Sequence, residues 1–175
     1  KTSPVKWRYA YNVCTFGYSS AFWDWARWER EIDFNALSGV NMPLSFIGQE
    51  FVWAQVYSKM GLTEAQLEEH FSGIAFLPWE RMGNMHGWGG PLSEDIRARR
   101  MKLQKRILQR QREFGMVSVL SCFSGHIPTG LVDLYPNMSV TRSPNWGNFP
   151  AEDCCNYLLD PDDPMFAHIS KLFME

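Results

Sequence analysis

The order of its apolar runs constrains this chain more than any other feature. Residues 7–16, 40–47 and 116–123 are short, rich in aromatic and β-branched side chains, and read as three strands. Between the first two, residues 21–37 place Trp25, Trp28, Ile32 and Ala36 at helical spacing. Gly39 can end that helix in a left-handed conformation. Pro43 falls inside the second run, where a missing donor predicts a local irregularity. Residues 51–60 and 63–71 read as helices, the second with Thr63 and Gln66 spaced for a capping box. Ser93 starts a long helix to Phe114 with Ile96, Leu103, Ile107 and Phe114 as its buried stripe, and Gly115 ends it. Residues 75–91, dense in Gly, Pro, Trp, Met and His, read as a long loop, and residues 124–163 read as irregular before a final helix over 164–175.

Strands alternating with helices imply parallel pairing through crossover connections, with both faces of the sheet covered. The fold class is α/β, as a doubly wound sheet or an eightfold barrel. No GxGxxG follows the first run, which disfavours a dinucleotide-binding sheet. A net charge of −2 gives no general pull toward nucleic acid or anionic membrane. The eight Lys and Arg of residues 97–112 interleave with apolar positions and read as the solvated face of a covering helix. No stretch reaches the roughly 18 apolar residues of a membrane span. The chain begins at Lys1 without Met and ends inside a helical pattern, so it reads as a segment of something longer.

Parallel α/β folds bind ligands beyond the carboxyl ends of their strands. Those ends deliver Asn12, Cys14 and Tyr18 after the first run, Gly48-Gln49-Glu50 after the second, and Ser124-Gly125-His126 after the third. The loop after residue 75 adds Trp79, Met82, Asn84, His86 and Trp88, and the segment 136–149 adds Trp146. With 8 Trp among 175 residues, indoles in polar loops suit a site that stacks on the flat apolar face of a sugar. Trp88 reads better as a loop anchor. His86 and His126 have no third ligand at a metal-binding spacing, so no metal and no cofactor is expected. Cys154 and Cys155 are adjacent, a pair that seldom bonds internally. Asn137-Met138-Ser139 is a glycosylation sequon.

Several words of the sequence resemble one family. YNVCTFGYS (11–19), FWDWARWEREIDFNALSGVN (22–41), GQE (48–50), FLPWERMGNMHGWGGPLS (76–93) and LLDPDDPMF (158–166) occur in the order seen in the α-N-acetylglucosaminidases, glycoside hydrolase family 89. The resemblance runs from Trp7 to about Leu172. It implies a partial (β/α)8 TIM barrel, roughly the first three βα units, with residues 1–175 as the N-terminal part of the catalytic domain. It also implies retaining hydrolysis of terminal α-linked N-acetylglucosamine, from heparan-sulfate-like or other glycoconjugates, in a lysosomal, vacuolar or secreted setting. The two catalytic glutamates of the family would lie beyond residue 175, so this stretch alone would be inactive. The residues carried over to the sugar pocket are Asn12 and Cys14 from the first strand, Trp79 and Met82 from the long loop, and Trp146 from the segment after the third strand. Expected partners are an N-acetylglucosamine-terminated glycan, the remainder of the enzyme and a second copy of the chain. The rival reading is a non-catalytic carbohydrate-binding or interaction fragment. One departure stands out: Glu80 occupies the position of a small residue, usually Gly, in the WGRMGN form of the motif.

Overall fold

The computed structural model describes residues 3–175. Strand β1 (Tyr9–Ala10) pairs in parallel with β2 (Met42–Pro43), Tyr9 opposite Met42 and Ala10 opposite Pro43. The third apolar run joins on the far side of β2 through a single parallel bridge between Leu44 and Val119. The amides of Met42 and Leu44 donate to the carbonyls of Arg8 and Ala10, while those of Val117 and Val119 donate to Asn41 and Pro43. Three parallel segments therefore lie in sequence order, as the alternation predicts. Pro43 explains why the second junction is thin. On that side of β2 the next donor after residue 43 is Ser45, to the Val119 carbonyl, and proline supplies none.

The first strand is shorter than expected. Tyr11 turns to φ 73°, which breaks extension, and residues Thr15–Tyr18 form a one-turn helix, α1. Helix α2 (Trp25–Leu37) starts where the Asp24 side chain accepts the Arg27 amide at 2.9 Å, and Gly39 at φ 80° follows its end. Helix α3 (Gln49–Lys59) leaves the end of β2. Helix α4 (Glu64–His70) carries the expected capping box between Thr63 and Gln66. The stretch read as a loop holds a 3-10 turn (Ile74–Phe76) and a short helix, α5 (Leu77–Arg81), with Pro78 in its first turn. Five residues are too few to show a period.

Helix α6 (Glu94–Glu113) is as long as expected, with Ser93 at its N-cap position, and Ile96, Leu103 and Ile107 of its expected stripe pack against the cores, but the face is also polar. Phe114 is 43% exposed, and the buried positions are Arg97, Gln104, Ile107 and Gln111. The partner surface is polar. Gln104 accepts the Ile47 amide and donates to the Ser45 carbonyl, both at 2.9 Å, and Gln111 accepts from the hydroxyls of Ser45 and Ser118. The segment expected to be irregular contains β3 (His126–Ile127), α7 (Thr129–Leu134), β4 (Val140–Arg142) and β5 (Tyr157–Leu159). These strands make an antiparallel sheet in the order β3-β5-β4, each too short for alternation to register. Helix α8 (Pro164–Met174) is capped by the Asp163 side chain.

Two apolar cores result. Phe16, Trp28, Ile32, Phe46, Ile47, Ile107 and Met116 pack between the parallel strands, α2 and α6. Trp53, Tyr57, Leu67, Phe71, Leu77, Leu131, Leu159 and Ile169 join α3, α4, α7, α8 and the antiparallel sheet. Cys154 and Cys155 are bonded to each other, contrary to expectation. Cys155 takes a left-handed φ of 66°, a backbone setting outside the extended geometry that makes such a pair unfavourable. No helix among the described residues is long and apolar enough to cross a membrane.

Candidate functional site

The parallel strands end where α1 and α5 meet. Gly17 of α1 lies so close to Pro78 of α5 that an added Cβ would sit 2.6 Å from the proline ring. Asn12 and Cys14 lie between β1 and α1, and α1 touches α5, the helix that carries Trp79 and has Met82 at its C-cap. Asn12 is exposed. Its Oδ1 accepts from the Thr15 amide at 3.0 Å and the Thr15 hydroxyl at 3.1 Å, and its side-chain Nδ2 donates to no described residue. Cys14 is a free, half-buried thiol whose carbonyl starts α1. Met82 is 37% exposed.

Trp79 and Trp146, far apart in sequence, come together with ring centres 6.1 Å apart and planes at 43°. Trp79 also meets Tyr18 edge-on at 5.6 Å and Phe76 in a stack at 5.8 Å, and Phe149 stacks on Trp146 at 5.6 Å. Both indoles are half-buried, the state of a ring that is held in place and still presents area to a ligand. Trp88 packs edge-on against Phe149 at 4.9 Å, in keeping with an anchoring role. Tyr18 was legible as a strand-end residue. Phe76 and Phe149 were not, since nothing in sequence separates them from core aromatics.

Beneath this aromatic wall lies a buried charged layer. Glu50, the strand-end carboxylate, is 2% exposed and accepts two hydrogen bonds from Arg81, at 2.6 Å from Nε and 3.0 Å from Nη2. The Arg81 guanidinium lies 4.6 Å from the centre of the Phe46 ring. Glu80 is equally buried and accepts the Ser72 amide. Burial pushes its carboxyl up to about 8, the nearby Glu50 adds to the rise, and the Ser72 amide and hydroxyl and Arg81 oppose it. Tyr57, whose hydroxyl donates to the His126 carbonyl, is raised above its ordinary range by burial and then by Glu80. Neither glutamate is presented to solvent for acid–base work.

His70 and His86 lie ring to ring at 6.0 Å. Burial, then His86 and His126, lower His70 to about 3, so that it is neutral. Among the described residues no group of three or more His, Cys, Asp and Glu is arranged to hold a metal ion. Asn137 is exposed in the turn between α7 and β4.

Comparison with known proteins bears on what this arrangement serves. The chain is 47% identical to human α-N-acetylglucosaminidase over 174 residues, covering 99% of the chain and 23% of that protein. It is similar to a family 89 glycoside hydrolase from Clostridium perfringens solved with 2-acetamido-1,2-dideoxynojirmycin. The TM-score is 0.89 at 31% identity, over 97% of this chain and 19% of that one. The same figures hold for a form of the Clostridium enzyme with two glutamate-to-glutamine substitutions, solved with its substrate GlcNAc-α-1,4-galactose. The chain thus spans about a quarter or less of the relatives it matches. The alpha-N-acetylglucosaminidase (NAGLU) tim-barrel domain matches residues 8–175, and the chain belongs to that family.

Proposed function

We propose that this chain forms part of the terminal-sugar site of a retaining exo-α-N-acetylglucosaminidase. Its three parallel segments would be the first three strands of an eight-stranded barrel. The observation that carries the reading is the pairing of Trp79 with Trp146. Two indoles at an angle can wall a pyranose ring, and the unengaged amide of Asn12 can donate to a hydroxyl. The relatives' names and the bound GlcNAc-α-1,4-galactose of one of them support the same sugar and the same anomer.

Retention requires two carboxyl groups about 5–5.5 Å apart, one attacking the anomeric carbon and one protonating the leaving oxygen. The family resemblance puts both catalytic carboxylates outside this stretch, and the locked Glu50 and enclosed Glu80 are in keeping with that. The chain on its own would then be silent, and its partners would be the glycan and the rest of the enzyme. A lysosomal, vacuolar or secreted location, with a glycan on Asn137, follows from the same family reading.

Hydrolysis of an aryl α-N-acetylglucosaminide by the full-length protein, with the β-anomer as control, tests the proposal. Trp79→Ala and Asn12→Ala should each lower kcat/KM at least tenfold. Wild-type rates in both variants would remove the pocket assignment. A folded parent inactive on either anomer would favour the non-catalytic carbohydrate-binding reading.

A further inference from the structure

Glu80 is unexplained by the pocket itself. It stands where the related motif carries a small residue, one position after Trp79, and is 2% exposed. Helix α5 has five residues, too short to hold its shape without tertiary ties. It has three. Pro78 abuts Gly17 of α1, Arg81 pairs with Glu50 of α3, and Glu80 accepts the Ser72 amide. Ser72 is fully buried, and the next residue is fixed. The Gly73 amide donates to the Trp88 carbonyl at 2.8 Å, and a Cβ at Gly73 would collide with the Gly89 carbonyl. The Glu80 bond therefore ties α5 to an anchored turn.

We propose that Glu80 is a positioning residue, whose carboxyl binds α5 to the turn at Ser72 and so sets the angle of the Trp79 indole against Trp146. This rests on the reading of Trp79 as part of the sugar wall. The groups facing the carboxyl are Glu50 and Tyr57 from α3, Arg81 from α5 and Ser72 from the turn. Oε2 holds the Ser72 amide, and the carboxyl is too enclosed for solvent to take the place of that bond. Without the acceptor the amide is stranded, α5 loses one of its ties, and the Trp79 indole is released from its angle against Trp146.

The test uses the full-length enzyme and three variants. Glu80→Gln keeps an acceptor for the Ser72 amide. Glu80→Ala and Glu80→Leu remove it, the second with the bulk retained. On an aryl α-N-acetylglucosaminide, Glu80→Gln should keep KM within about threefold of the wild type. Glu80→Ala and Glu80→Leu should each raise KM fivefold or more, with a smaller change in kcat. Hydrogen exchange across residues 72–84 should accelerate at least tenfold in both, and not in Glu80→Gln. If Glu80→Ala fails to fold, Glu80→Leu decides. An active parent whose acceptor-free variants match it in KM and exchange, or whose Glu80→Gln variant behaves as they do, overturns this proposal alone. A folded parent with no activity on the α-anomer overturns the functional reading and the proposal with it.

Discussion

Removing Arg81 tests the charged layer most directly. Arg81→Met keeps length and apolar bulk under the Phe46 and Phe16 rings but takes away both bonds to Glu50. The side chains of both partners are at most 3% exposed, so water does not replace the lost partner. Breaking a buried pair from one side costs about 3–5 kcal/mol, whereas an exposed pair is worth about 0–1 kcal/mol. At about 1.4 kcal/mol per factor of ten, local opening should become two to more than three decades more frequent. Hydrogen exchange of the α3 and α5 amides in the full-length protein reads this directly. Adding Glu50→Gln to Arg81→Met should recover more than half of the loss, since no enclosed charge remains. Exchange changed less than about threefold in Arg81→Met, the range of an exposed pair, would refute the view that this pair is buried and mutually dependent.

Other expectations follow from single features. Gly83 sits at φ 77° with the His126 ring where a Cβ would go, so Gly83→Ala should cost at least about 2 kcal/mol in stability, read by denaturant unfolding. Gln104→Leu strands the Ile47 amide and the Ser45 carbonyl, at about 1–3 kcal/mol each, and should accelerate exchange at Ile47. His70 is neutral when folded and would charge when unfolded, so it lowers stability as pH falls from about 6.5 toward 3. His70→Phe should flatten that acid loss in a pH series of melting temperatures.

The helix-bearing part of the fold was readable because each helix is announced twice, by spacing and by its ends. Thr63, Gly39, Gly61 and Gly115 mark ends that the structure reproduces. The parallel order was readable from alternation alone. Residues 124–163 were not, because β3, β4 and β5 are two or three residues long and their pairing is set by partners distant in sequence. The inward face of α6 was read only in part: Ile96, Leu103 and Ile107 do pack inward, but Phe114 does not, and Gln104 and Gln111 were missed. Apolar periodicity finds the side that avoids water, but this helix packs on serines and open backbone, and glutamines meet that surface better than leucine would. Strand-end logic selected Asn12, Cys14 and both tryptophans as a pocket, and the structure brings the two indoles together. It gave no sign that Glu80 would be enclosed.

The glutamines of α6 also limit how this part of the chain can change length. Gln104 and Gln111 are seven residues apart, close to two helical turns, and both reach Ser45. One residue inserted between them would swing Gln111 by about 100° around the axis, away from Ser45 and Ser118. An apolar seam could absorb such a shift by repacking, but a hydrogen-bonded one has a single register. Insertions and deletions should therefore be tolerated in the turns flanking α6 and rejected within it.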